Sequence, residues 1–150
     1  MKLVIQRVKK ASVSVDEKVV GEIDQGFCIL VGIKETDNLA VVKKMAQKVV
    51  KLRIFSDDEG KMNLSVNDVA GEILSISQFT LYADTSHGNR PGFADAAKPD
   101  LAIDLYEAFN SQLRSEGIEV KTGKFGADMQ VDITNDGPVT IVMEINNEDL

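Results

Sequence analysis

The chain predicts an α+β fold: one domain over residues 1–150, built from a mostly antiparallel, barrel-like β-sheet packed with two main helices. Three observations carry this expectation. Apolar and polar residues alternate in short runs separated by Gly, Asp and Asn turn signals, which is the period of half-buried strands. Two segments break that habit and repeat their apolar residues at helical spacing. No repeat, low-complexity tract or linker divides the 150 residues, a length that buries roughly 70% of the unfolded surface.

The elements follow in order. Met1 to Arg7 reads directly as a strand, with no signal-peptide core ahead of it. Ala11 to Val15 alternates, Asp16-Glu17-Lys18 turns, and Val19 to Ile23 returns. Asp24-Gln25-Gly26 turns again, before a buried run from Phe27 to Ile33. Asp37 is placed to cap a first helix, whose stripe is Leu39, Val42, Met45, Ala46, Val49 and Leu52. Ser56 to Lys61 is a polar loop, and Glu72 to Tyr82 reads as one long strand. Ala83 to Lys98 is a loop. A second helix runs from about Pro99, suited to a first turn, to Ser115, with Leu101, Leu105, Phe109 and Leu113 on one side. Three strands close the chain: Ile118 to Lys121, Ala127 to Thr134 and Val139 to Ile145. Between the last two, Asn135-Asp136-Gly137-Pro138 predicts a sharp, rigid turn that presents carbonyl oxygens and little else.

Composition excludes several classes. The net charge of -7 opposes a protein that coats nucleic acid, since phosphate binding needs clustered cations. Local basic groups remain: Arg7, Lys9 and Lys10, and Lys43, Lys44, Lys48, Lys51 and Arg53 on the first predicted helix, where a solvated face is the plainer reading. The only cysteine, Cys28, lies in an apolar run and reads as a buried thiol, and a cytoplasmic location is the simplest inference. No apolar run is long enough to span a membrane. One histidine and one cysteine far apart make no metal site. A Ser-His-Asp triad would have to use His87, in a polar loop. No nucleophile elbow, Walker loop or dinucleotide fingerprint occurs, so no cofactor is implied.

What remains is the stretch Ile73 to Leu81. If alternation persists, Leu74, Ile76, Gln78 and Thr80 share one face, apolar and then polar, like the rim of a pocket. Satisfying neighbouring backbone groups is the bland alternative for Gln78 and Thr80.

Ser77-Gln78-Phe79-Thr80-Leu81 together with Asn135-Asp136-Gly137-Pro138-Val139-Thr140 resembles the two signature motifs of D-aminoacyl-tRNA deacylases. The likeness extends through Ile5-Gln6-Arg7-Val8, Arg53-Ile54-Phe55-Ser56-Asp57, Arg90-Pro91-Gly92-Phe93 and Gly123 to Met129. Ser86-His87-Gly88-Asn89 departs from the more basic loop of the family. The resemblance implies a homodimer with active sites at the subunit interface and the 3′ end of aminoacyl-tRNA as partner. It implies hydrolysis of the ester between a D-amino acid and that 3′ end, with glycyl-tRNA, including glycine mischarged on tRNA for alanine, also accepted. Each chain's Gly137-Pro138, in cis, would enter the partner's pocket. Arg7 resembles the residue that braces this turn from behind, and Ser77, Gln78, Phe79 and Thr80 fall on the catalytic motif. Phe125 and Met129 suit the face of the terminal adenine, or ordinary core packing.

An aminoacyl ester is already activated, so positioning and carbonyl polarisation suffice as chemistry. N–H groups near Phe79 and Thr80 would hold the substrate carbonyl, and the carbonyls of Gly137 and Pro138 the ammonium. A D side chain then points to open space, whereas an L side chain meets the Gly-Pro turn. Thr80 has no evident base beside it and is expected to position rather than attack, with the tRNA 2′-hydroxyl assisting water. A non-catalytic RNA-end or ligand-binding module, and a structural dimer, are the alternatives these residues leave open.

Overall fold

The computed structural model describes all residues 1–150. Two early runs join as one strand, β1 (Lys2–Val15), which hairpins into β2 (Lys18–Ile23). Asp16 and Glu17, at φ 50° and 65°, make the left-handed two-residue link that matches strand twist. β3 (Gly26–Gly32), α1 (Leu39–Lys51) and a small hairpin of β4 (Phe55–Ser56) and β5 (Met62–Leu64) follow. Then come β6 (Glu72–Ser77), a 3-10 turn (Phe79–Tyr82), α2 (Pro99–Ser115), β7 (Val120–Thr122) and β8 (Gln130–Glu144).

β1 is the spine of the sheet. One edge pairs antiparallel with β3 and then with β2, and the other pairs with β8 along nearly its whole length. The sheet is mixed, because β3–β6 and β6–β7 are parallel. Curling brings β2 back against β7: a Cβ added at Gly21 would lie 2.6 Å from the Thr122 carbonyl oxygen. Hence the barrel-like shape.

Two apolar clusters form. Val8, Ala11, Val13, Ile23, Cys28, Leu74 and Ile76 fill the inside of the curl. Leu3, Ile5, Phe27, Ile29 and Ile73 face the other way, under α1 and α2. β6 is therefore buried on both faces, as parallel strands commonly are. Burial alone pushes the Cys28 thiol up to about 12, so it packs as a small hydrophobe.

Several expectations need correction. Asn38, not Asp37, caps α1, accepting from the Val41 N–H at 3.0 Å. Asp37 instead accepts from the buried Met1 ammonium at 2.7 Å and the Lys34 N–H at 2.7 Å. Burial lowers the pKa of that ammonium, and Asp37 opposes the shift. Leu39 is exposed and Leu101 partly so, because each opens the first turn of its helix, off the packed stripe. Arg53 lies beyond α1 and bonds Asn63, while Lys44 reaches the Asp149 carbonyl, leaving Lys43, Lys48 and Lys51 as a solvated face. The long strand to Tyr82 stops at Ser77. The last two strands are one.

Removing a partner from a buried ion pair strands the other charge. Asp37→Asn should therefore cost about 3–5 kcal/mol, read as a lower urea midpoint at unchanged slope; an unchanged midpoint would refute a structural role for the pair.

Candidate active site

The break in β6 creates the first part of the site. After Ser77 the chain leaves the ladder and tightens into the 3-10 turn Phe79–Tyr82. The Gln78 N–H still donates to the Val31 carbonyl at 2.8 Å, and the Leu81 N–H donates to Gln78. The N–H groups of Phe79 and Thr80 donate to no protein group, as the first donors of a helical turn must when no cap is present. Two adjacent free donors thus sit at one point of the surface. The Gln78 amide donates to the Thr80 hydroxyl oxygen. That oxygen is held by a donor and has no base beside it.

Gln78 and Phe79, with Thr80 adjoining, edge a cavity of about 520 Å³ between the end of β6, the start of α2 and the loop leading into β8. Ser77, Gln78 and Phe79 line one side and Phe125, Gly126 and Met129 another, with Ala96, Ala97 and Ala102 as a smooth floor. The Phe79 ring stands half exposed, edge-on to Phe93 with centroids 5.0 Å apart. Gly123 makes room for Met129, since a Cβ there would lie 2.5 Å from the sulfur. Lys98 is the only ionisable group in the lining. The cavity is thus shaped and apolar, with backbone donors at its rim and no acid–base pair.

Gly137 and Pro138 lie elsewhere on the surface, and neither lines this cavity. They do not form a turn between strands. Gln6 to Val8, two steps along β1, face Thr140 to Asn135, five steps along β8. The surplus residues are extruded as a wide bulge in a continuous strand, leaving Gly137 and Pro138 exposed and outside the ladder. Their peptide bond is cis. Gly137 has φ 134°, and a Cβ there would come within 2.8 Å of Val139 Cγ2 and 3.1 Å of Arg7 Nη2, so only glycine fits.

Side chains hold the bulge. Arg7, largely buried, donates through Nε to the Asp136 carbonyl at 2.9 Å and through Nη1 to the Ile54 carbonyl at 2.7 Å. The Asp136 carboxylate lies 3.6 Å from the same Nε. Asn135 accepts from the Val139 N–H at 2.8 Å and donates to the Thr140 hydroxyl at 3.3 Å, spanning the Gly-Pro pair. Neither Ile54 nor Asn135 was picked out for this role from sequence. The strong polarity of Asn135 between two apolar runs is the signal that was available.

The structure therefore brings Ser77, Gln78, Phe79, Phe125 and Met129 together, with Thr80 on the adjoining turn. It brings Arg7 to Gly137 and Pro138 at a second place. His87 lies on the exposed loop and lines no part of the cavity. Beyond the 3-10 turn, burial and the Glu144 carboxylate, 3.0 Å away, push the Tyr82 phenol well above its ordinary range. No group of three or more potential metal ligands occurs.

Comparison with known proteins agrees over nearly the full length. A family model described as D-Tyr-tRNA(Tyr) deacylase matches residues 4–144. A D-aminoacyl-tRNA deacylase of Lactobacillus acidophilus is 56% identical over 145 residues, covering 97% of this chain and 100% of the relative. One of Exiguobacterium sibiricum is 56% identical over 144 residues, covering 96% and 99%. Among solved structures, the c-Myc DNA unwinding element binding protein superposes with a TM-score of 0.92 at 43% identity, covering 97% of this chain and 99% of its own. A probable eukaryotic D-amino acid tRNA deacylase superposes with a TM-score of 0.83 at 16% identity, covering 96% and 98%, a likeness of fold.

If Arg7 braces the bulge, Arg7→Leu strands two carbonyl oxygens and should cost about 2–3 kcal/mol, with a larger loss of turnover than of stability. Arg7→Leu with wild-type turnover would separate the bulge from function.

Proposed function

The chain belongs to the D-aminoacyl-tRNA deacylase family, and we propose how its residues perform the hydrolysis of D-aminoacyl-tRNA that membership assigns to it. The carrying observation is the pair of free N–H groups at Phe79, which lines an apolar cavity, and at Thr80, next to it on the adjoining turn. The terminal adenosine lies in the cavity against Phe125 and Met129, which puts the ester carbonyl at the two donors. Water adds to the carbonyl carbon. Negative charge moves onto the carbonyl oxygen, where preorganised donors stabilise it more than they stabilise the ground state. Collapse breaks the bond to the ribose 3′ oxygen, which takes a proton. Free amino acid and tRNA leave. The cavity holds no general base, so the neighbouring 2′-hydroxyl of the substrate is the group that orients the water. Thr80, held by Gln78, positions rather than attacks.

Selectivity comes from the bulge. Gly137 and Pro138 present backbone on a rigid platform but lie outside their own chain's cavity. They act in the cavity of a second copy of the chain, which makes the homodimer the working unit. β8 supports this: it has no partner on its outer edge and leaves Val142 exposed. With the substrate ammonium held by the Gly137 and Pro138 carbonyls, a D side chain points away. An L side chain collides with the platform, and repulsion discriminates beyond what one lost apolar contact provides. Glycine has no side chain to collide, so glycyl-tRNA, including glycine mischarged on tRNA for alanine, is a substrate. A charged-tRNA substrate places the enzyme with translation, in the cytoplasm.

Turnover of matched D-, glycyl- and L-aminoacyl-tRNA tests this. The wild type should hydrolyse the first two and spare the third. Thr80→Ala should slow the D ester without an isolable acyl-enzyme; trapping one in the wild type would establish Thr80 as nucleophile. His87→Ala should stay within about twofold of wild type, since a general base is worth 10²–10⁴-fold; a loss of that size would restore a histidine mechanism. Gly137→Ala should abolish D-ester turnover while the chain still folds.

A further inference from the structure

The 3-10 turn that shows the two free N–H groups rests on one cross-strand row of the sheet. Glu144 of β8, Lys2 of β1 and Gly32 of β3 are direct partners in the ladder, so they stand side by side on one face. Each of the three meets the turn. Gly32 lets it sit close, since a Cβ there would lie 2.9 Å from Leu81 Cβ and 3.4 Å from the Gln78 carbonyl oxygen. The Lys2 ammonium donates to the Leu81 carbonyl at 3.3 Å and lies 5.0 Å from the centre of the Tyr82 ring. The Glu144 carboxylate accepts from the Tyr82 hydroxyl at 3.0 Å. Lys2 and Glu144 have opposite charges and face each other across the ladder, where such residues attract. No ion pair joins them; both reach for the turn instead.

We infer that Lys2, Tyr82 and Glu144 are positioning residues for the hydrolysis, clamping the exit of the turn so that the Phe79 and Thr80 N–H groups stay aimed at the ester oxygen. The inference rests on the deacylase reading of this site. Donors that stabilise an oxyanion work because they are already in place when charge develops. A 3-10 turn supplies that rigidity poorly by itself, because it is short and its hydrogen-bond geometry is strained. Here the entry is held to β3 by the Gln78 N–H, 2.8 Å from the Val31 carbonyl oxygen. The exit is held by the row. A cation on the last carbonyls of a helical turn also complements its dipole, whose positive end is the free N–H groups. Glu144 closes β8, the strand that carries Gly137 and Pro138, so the clamp ties the two donors to the strand of the platform.

Kinetics of three variants on D-aminoacyl-tRNA test the clamp. Tyr82→Phe removes the hydroxyl and keeps the ring, Lys2→Met removes the ammonium and keeps the stem, and Glu144→Ala removes the acceptor. Each should lower kcat by about tenfold or more, since a small misplacement at the reacting centre costs up to about 10²-fold. KM should stay within about twofold, the mark of an interaction expressed only in the transition state. The Tyr82→Phe/Glu144→Ala double variant should lose no more than Tyr82→Phe alone, because both changes break one bond. Glu144→Gln, which keeps an oxygen acceptor, should recover most of what Glu144→Ala loses. Wild-type kcat in Tyr82→Phe overturns the inference. So does a higher KM at unchanged kcat, or a double variant whose losses multiply. A kcat that falls only with the unfolded fraction, read from urea midpoints, overturns it too and makes the row purely structural. Each of these results leaves the deacylase reading intact. A wild type inert toward every D ester overturns that reading and the clamp with it.

Discussion

The Arg7 guanidinium is the interaction on which the architecture of the candidate site turns. It sits on the central strand, largely out of water, and binds two backbone carbonyls from different parts of the chain. One belongs to Ile54, just after α1; the other belongs to Asp136, inside the bulge. A wide bulge leaves backbone groups without ladder partners, and such groups need partners when shielded from water. Arg7 and Asn135 supply them, and the extruded Gly-Pro segment becomes a fixed shape. A planar, permanently charged fork suits this task better than lysine, because its donors reach two acceptors in one geometry.

The other half of the apparatus also comes from interrupted regularity. β6 is buried on both faces, so its backbone is pinned where it ends. The tightening after Ser77 exposes two N–H groups that a continued strand would have spent on its two neighbours. On the proposed mechanism both elements act through backbone, displayed by departures from the ladder and braced by side chains. That mechanism gives ester hydrolysis to a chain with one histidine and no group of three metal-ligating side chains. The reaction needs charge stabilisation at a defined point, and backbone dipoles fixed in place provide it without reorganisation.

Most of the fold was legible in the sequence because burial imposes periods. The alternation in β1 and the stripe Leu105, Phe109 and Leu113 in α2 are direct imprints of their environments, and α2 has the bounds its residues predict. The parts missed are those that no local period encodes. Glu72 to Tyr82 alternates well enough to pass for one strand, yet the ladder to β3 ends at Ser77. Gly137-Pro138 carries every sign of a turn, but β1 is long enough to pair on both sides of it, so tertiary pairing turns a reversal into a bulge. Asp37 had the chemistry of a cap, and a buried ammonium claimed it first. The candidate site residues are legible only through family motifs; that they fall into two places on one chain is visible only in three dimensions, as is the carbonyl with which Ile54 holds Arg7.

That separation makes the central claim measurable: the Gly-Pro platform acts in the cavity of the other subunit. The direct measurement mixes two inactive variants, refolded together. Gly137→Ala damages the platform and spares the cavity, while Ala127→Trp fills the cavity and spares the platform. A mixed dimer then contains one site with an intact cavity facing an intact platform. The account predicts D-aminoacyl-tRNA turnover in the mixture well above that of either variant alone, with L-aminoacyl-tRNA still spared. No gain on mixing, with mixed dimers verified by mass, would place platform and cavity in the same chain and contradict it.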